Sequence, residues 1–272
     1  EIIAVLVTEP LSELFSDPTY SEFLSGITEE LSESSYLPVI LQASSTHERN
    51  RAREHFERRS FDAVIDVSPY KGSELLEVLC ELGVPTVLCG QLEGHPYRDV
   101  FSTVYSDDEE GGHFAALAMK ERGRKDIVAV LGPQDNPAVA DRLRGYRAVL
   151  GEDLPDANVI YTGWNNGDGY QAMHQILARE IAFDGVLCGS DRIAAGVITA
   201  LNEAGLSVPA DVSVVGFDDH EIATRCVPAL TTVRQPLREE GHMAANIALD
   251  MIKGAEPTTS VMHMQLIQRD SL

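Results

Sequence analysis

The chain has 272 residues, 44% of them hydrophobic and 24% charged, which is enough for a sizeable core and about twice the usual single-domain length. With 21 Lys and Arg against 43 Asp and Glu the formal charge is −22, so the chain repels phosphate backbones and is not expected to grip nucleic acid by itself. No apolar stretch approaches the roughly 20 residues of a membrane span. There is no signal-peptide pattern, and Cys80, Cys89, Cys188 and Cys226 show no short-range pairing, so a cytoplasmic protein with free thiols and no membrane partner is expected. The chain opens at Glu1 directly on an apolar run and not at Met, which reads as removal of an N-terminal segment.

In chain order, the apolar run Ile2–Val7 comes first, followed by Tyr20, Phe23, Leu24, Ile27 and Leu31 on one face of a helix. Runs at 39–41, 63–67 and 84–89 come next, with a helix striped by Leu75, Leu79 and Leu82 between the last two. A loop with Gly94, His95 and Pro96 leads to the run 101–105, and the acidic residues 107–110 predict a helix start, where carboxylates favour the positive dipole end. The second half repeats the pattern. Runs at Ile127–Leu131, Val159–Tyr161, 186–188 and 212–217 alternate with helices striped by Val139, Leu143, Tyr146 and Val149, and by Ile193, Val197, Leu201 and Ala204. The run 230–233, a helix carrying Ala244, Ala248, Met251 and Ile252, and a single strand over 261–267 complete the chain.

Near-continuous Val, Ile and Leu is what strands covered on both faces require. Alternation of strand and helix throughout implies an α/β protein of two doubly wound parallel-sheet lobes, with right-handed crossovers. The segments left over after residue 217 imply that the chain passes between the lobes more than once.

In open parallel sheets ligands bind beyond the carboxyl ends of the strands. The residues just after each strand are Thr8, Glu9, Ser68, Gly90 and Gln91 in the first lobe. In the second they are Gly132, Gly163 with Trp164, the turn 189–191, and Asp218 with Asp219. An aromatic ring with carboxylates and amides suits a polyhydroxylated small molecule, the ring stacking on its C–H face. Trp164, alone of its kind and flanked by Gly163, Asn165, Asn166 and Gly167, is poorly explained as core. Asp191 and one of the pair Asp218 and Asp219 have helix capping as their plain alternative. Arg142 has that of a solvated surface charge.

Catalytic patterns are missing from the sequence: no G-x-G-x-x-G follows a strand, and neither a phosphate-binding loop nor a G-x-S-x-G elbow occurs. The eight histidines are scattered without metal-ligand spacing. Neither catalysis nor a metal or other cofactor is expected.

The residues 212–219 (VSVVGFDD) and 228–236 (PALTTVRQP) resemble the signature of the effector-binding core of the lactose, galactose and purine repressor (LacI/GalR) family of bacterial transcription regulators. Supporting stretches are 17–27 (DPTYSEFLSGI), 142–146 (RLRGY) and 185–196 (GVLCGSDRIAAG). The resemblance implies a type I periplasmic-binding-protein-like fold, with an N-terminal lobe of residues 1–103 plus 235–258 and a C-terminal lobe of 104–234 plus 259–272. It further implies a missing helix-turn-helix headpiece that reads operator DNA as a homodimer. The small-molecule effector, a mono- or oligosaccharide, is then expected in the interlobe cleft. The family's ligand positions fall on Thr19, Tyr20, Arg142, Trp164, Asp191, Asp218 and Gln235. Residues 11–16 look like an insertion, which offers Phe15 as a replacement for Tyr20 or a supplement to it at the pocket. The purine-type Arg six residues before Arg142 is Asn136 here, which favours a sugar. By resemblance, dimer contacts would come from the helix around Leu75 to Leu82. The rival readings are a solute-binding protein of a sugar transporter and an enzyme of doubly wound fold.

Overall fold

A computed structural model describes residues 1–67, 73–90, 96–97, 99–179 and 181–272. Its elements run β1 (Ile2–Val7), α1 (Leu11–Ser16), α2 (Pro18–Leu31), β2 (Leu37–Gln42), α3 (Thr46–Glu57), β3 (Ala63–Asp66), α4 (Ser73–Leu82), β4 (Thr86–Cys89) and β5 (Ser102–Ser106). There follow α5 (Asp108–Glu121), β6 (Ile127–Leu131), α6 (Pro137–Leu150), β7 (Val159–Tyr161), α7 (Asn166–Ala178), β8 (Gly185–Cys188), α8 (Asp191–Glu203) and β9 (Ser213–Asp218). The chain ends with α9 (Glu221–Arg225), β10 (Thr231–Arg234), α10 (Leu237–Ile252), β11 (Thr259–Met262) and β12 (Gln265–Ile267).

Two compact lobes result, one of Glu1–Ser106 with Pro236–Met262 and one of Asp107–Gln235 with His263–Leu272. The first sheet has the order β2-β1-β3-β4-β5-β11 and the second β7-β6-β8-β9-β10-β12. The two lobes therefore share one winding, five parallel strands closed by a sixth taken from the end of the chain. Here the structure corrects the reading of 261–267 as a single strand. The segment breaks after Met262, and β11 pairs in parallel with β5 while β12 pairs antiparallel with β10 in the other sheet. The chain changes lobe at 106/107, 235/236 and 262/263, where the sequence suggested 103, 234 and 259.

Strand alternation divides each core in two. In β1, Ile3, Val5 and Val7 pack with α2 and α10, and Ala4 and Leu6 pack with residues of α3 and α4. In β6, Ile127, Ala129 and Leu131 join α5 and α6, and Val128 and Val130 join α7 and α8. Edge strand β2 departs from the expectation of two covered faces, since Leu37, Val39 and Ile40 are exposed. Leu75 and Leu79 of α4, expected near a dimer contact, are buried in the first lobe's own core.

Three helix pairs cross with their backbones touching: α2 with α10, α5 with α6, and α7 with α8. Each crossing takes one glycine from either helix, namely Gly26 and Gly241, Gly112 and Gly145, and Gly169 and Gly196. A Cβ at any of the six would fall on backbone atoms of the partner helix. The helix starts are locally encoded. Asp17 and Asn136 cap α2 and α6 ahead of a first-position proline, and Ser45 and Asn165 form capping boxes with Glu48 and Asp168.

Candidate functional site

In the second sheet the strand order reverses between β6 and β8, and a crevice opens at such a switch point beyond the strand ends. The residues that follow these strands, Gly132 and Gly189, lie so close that a Cβ on Gly189 would sit 3.1 Å from Gly132 N. A Cβ on Gly132 would strike the Trp164 ring, so the missing side chain makes the floor on which the half-buried indole rests. Trp164 also touches both halves of the lobe's core, which anchors the ring.

Arg142, in the second turn of α6, is 4% exposed. Its guanidinium lies over Phe217, 3.8 Å from the ring centre, and 5.8 Å from that of Trp164. Nε donates to Asp108 Oδ1 at 2.7 Å, Nη1 donates to the Gly189 carbonyl, and Asp218 Oδ1 stands 3.6 Å from Nη1. Burial works to lower the Arg142 pKa, but Asp108 and Asp218 more than offset it and hold the charge in place. For Asp108 burial dominates and pushes its carboxyl up to about 6 against the pull of Arg142, with Asp141 and Asp218 adding to the rise. The solvated-surface reading of Arg142 is therefore displaced by a buried cation at the rim.

Asp218 and Asp219 both have positive φ, 104° and 62°, a conformation that costs a non-glycine residue on the order of 1 to 3 kcal/mol. The surroundings over-determine it. Gln235 Nε2 donates to Asp218 Oδ1 at 2.5 Å, and Asp219 accepts from Arg234 at 2.7 Å and Arg269 at 2.6 Å. Neither aspartate caps the next helix, because His220 occupies that position.

Asp191 is fully buried. Its Oδ1 accepts from the Thr232 hydroxyl at 2.5 Å and its Oδ2 from the His220 backbone N–H at 2.8 Å. Burial holds its carboxyl well above the usual range, reinforced by Asp218 and opposed by the two hydrogen bonds. The capping of α8 belongs to Ser190, whose hydroxyl accepts from Ile193 N–H. Asp191 thus stands behind the rim, fixing the turn that carries Asp218.

The structure therefore brings Arg142, Trp164, Asp218 and Gln235 together and sets Asp191 beneath them. Thr19 and Tyr20 belong to the first lobe, half-buried in the first turn of α2, where the Thr19 N–H donates to Asp17. Phe15, in α1, is 80% exposed. Ser68 and Gln91 of the first rim, and Gly94 and His95 of the loop beyond β4, lie outside the described residues. Two features escaped the sequence reading. Asp108 shows there only as part of an acidic helix start. In the first lobe Asp66 ends β3 fully buried, and the Ser106 hydroxyl donates to buried Glu240 at 2.7 Å. Among the described residues no group of three or more metal-type side chains is placed to hold an ion, and no helix is long and apolar enough to cross a membrane.

Two sheets of matching strand order, one with a polar switch-point rim of ring, guanidinium and carboxylate, define a periplasmic-binding-protein-like effector-binding core. Residues 116–272 match the periplasmic binding protein-like domain family. Over its whole length the chain is 32% identical to the HTH-type transcriptional regulator CelR of Thermobifida fusca, covering 81% of that protein. A solved CelR–cellobiose complex superposes on all of the chain with a TM-score of 0.93, over 84% of that structure. A LacI family regulator from Enterococcus faecium with bound ribose is 26% identical, with a TM-score of 0.84 over all of this chain and 98% of its own. The chain belongs to the LacI family of transcriptional regulators and comprises their effector-binding core.

Proposed function

We propose that this core senses a mono- or oligosaccharide at the second-lobe rim and thereby alters the operator affinity of a regulator that works as a homodimer in the cytoplasm. Trp164 stacks on the C–H face of a pyranose, Arg142 donates to hydroxyls, and Asp218, held by Gln235, accepts from them. Asp191 acts through the turn it fixes, and Thr19, Tyr20 and Phe15 are the candidates for effector contact in the first lobe. The observation that carries this reading is the convergence of one indole, one buried guanidinium and one strained carboxylate at a single switch point. The cellobiose and ribose held by the two solved relatives favour a sugar over a nucleobase.

DNA contact is assigned to residues outside these 272, because a chain of charge −22 has no cationic surplus to displace counterions. Coupling of about 1 to 3 kcal/mol between effector and operator would change DNA affinity roughly 5- to 150-fold. Kinship with regulators favours this role over a transporter's solute-binding protein, and no catalytic step is assigned.

The test is thermal unfolding with cellobiose, ribose and hypoxanthine. A ligand at 100 times its dissociation constant adds about 2.7 kcal/mol, so one of the sugars should raise Tm clearly and hypoxanthine should not. A shift with hypoxanthine alone would overturn the sugar assignment.

A further inference from the structure

We propose that Asn166 is a site of spontaneous covalent modification, losing its side-chain amide to leave isoaspartate in the first turn of α7 and loosening the loop that carries Trp164. Among the chain's asparagines only Asn166 is followed by glycine, in the sequence Asn165-Asn166-Gly167-Asp168 directly after Trp164. Asn165, Asn166 and Gly167 are all exposed. The reaction requires the Gly167 backbone nitrogen to reach the carbonyl carbon of the Asn166 side chain. Glycine has no Cβ to shield that nitrogen, and even a Cβ built there would meet only the Asn165 side-chain oxygen, at 3.2 Å. Helix hydrogen bonding does not hold the nitrogen either. The N–H groups of a first turn have no intrahelical acceptor, and the Asn165 side-chain oxygen accepts from the Asp168 N–H, at 2.9 Å. Nitrogen and carbon meet when this exposed first turn frays, an opening that helix ends make readily.

The step balances with water as its one co-reactant. The Gly167 nitrogen gives its proton to solvent and bonds to the Asn166 side-chain carbonyl carbon, the amide C–N bond breaks, ammonia leaves, and a cyclic imide remains. Water then opens the imide. Opening at the side-chain carbonyl gives aspartate. Opening at the main-chain carbonyl gives isoaspartate, in which the backbone runs through the side chain and is longer by a CH2. At this position the longer backbone has particular consequences. The Asn166 carbonyl oxygen lies where a Cβ on Gly196 of α8 would fall, and in isoaspartate that carbonyl becomes a free carboxylate against α8. The reciprocal bonds of the capping box span the lengthened link: Asn165 Oδ1 accepts from the Asp168 N–H, and Asp168 Oδ2 accepts from the Asn165 N–H at 3.1 Å. Stretched by a CH2, the two cannot close together. Asp168 Oδ2 also lies where a Cβ on Gly163 would fall, so the loop 163–165 loses its tie to α7 and the indole is freed above Gly132.

Purified protein held at pH 8.5 and mapped by peptide mass spectrometry should exchange an amide for an acid at Asn166 severalfold faster than at Asn50, Asn158, Asn165, Asn202 or Asn246. An isoaspartyl methyltransferase should label the same peptide, and the change should slow severalfold at pH 6. Gly167→Ala, whose Cβ shields the nitrogen, should also slow it severalfold. Trp164 is the single tryptophan, so its emission should move to longer wavelength in step with the isoaspartate and stay fixed in Gly167→Ala. Freshly made Asn166→Asp carries the new charge without the longer backbone, and a carboxylate in a first turn suits the positive dipole end, so its emission should match wild type. A binding arm rests on the effector reading above: aged wild type should bind cellobiose severalfold more weakly than fresh protein. Loss of the amide at Asn166 no faster than at the other asparagines overturns the proposal, and so does a Gly167→Ala protein that ages as wild type does. Isoaspartate with unchanged emission overturns the link to Trp164. If fresh wild type binds no cellobiose, the sugar reading loses support while mass and emission still decide the fate of Asn166.

Discussion

Replacing Gly145 by Ala asks whether the geometry of the rim is set by how closely α5 and α6 approach. The added Cβ would lie 2.6 Å from His113 N and closer still to the Glu109 carbonyl oxygen, both backbone atoms of α5 that no rotamer change can move. Overpacking of this kind costs about 1 to 3 kcal/mol, and the better helix propensity of Ala returns up to about 1 kcal/mol. The net loss is therefore up to about 2 kcal/mol. At about 2 to 4 °C per kcal/mol for a unit of this size, Tm should fall by up to roughly 4 to 8 °C. Gly167→Ala is the control. That glycine sits in the first turn of α7, where a Cβ would meet only the Asn165 side-chain oxygen at 3.2 Å, so the propensity gain stands almost unopposed. Scanning calorimetry of the two variants separates the effects, because only Gly145→Ala should lose stability. Its cellobiose affinity should fall as well, since prising α6 from α5 draws Arg142 away from Asp108. Equal Tm changes in the two variants would refute the claim that backbone contact between the helices sets the rim.

Trp164→Ala should weaken sugar binding by about 1 kcal/mol or more, measured by calorimetric titration, and unchanged affinity in a folded variant would remove the ring from the site. Asp191→Ala should lose about 2 to 4 kcal/mol in urea denaturation, because the Thr232 hydroxyl and the His220 N–H are both left unsatisfied. Intact stability with lost sugar binding would make Asp191 a direct contact instead. Asp218→Asn should keep stability nearly intact, since Asn tolerates positive φ, while cellobiose affinity drops. A stability loss with unchanged affinity would mark Asp218 as structural.

The parts of this protein that could be read from its sequence are those written in local periodicity. Strands such as β6 and β9 are unbroken apolar runs, and α8 carries its stripe at Ile193, Val197 and Leu201. Helix α3 left little signal because it buries only Ala52 and Phe56. Helix α7 was hidden for another reason: its contact face begins with Gly169 and Ala172, small residues chosen for close approach. Trp164 and Asp218 were visible because both follow a strand directly, so placing the strand places the residue. The roles of Asp108 and Asp191 depend on contacts across 34 and 41 residues of sequence, to Arg142 and Thr232, which no local pattern encodes. The break between β11 and β12 was hidden likewise, because two edge strands serving different sheets look alike as one apolar stretch.

That break has a consequence for how the protein is made. Sheet one waits for Thr259–Met262 and sheet two for Gln265–Ile267, so the edges of both lobes remain open until residues 259–267 have left the ribosome. Neither lobe can be finished ahead of the other during synthesis, unlike the usual order in which the N-terminal domain folds first. A chain cut before Thr259 would therefore lose an edge strand from both lobes and yield no half-molecule with one lobe whole.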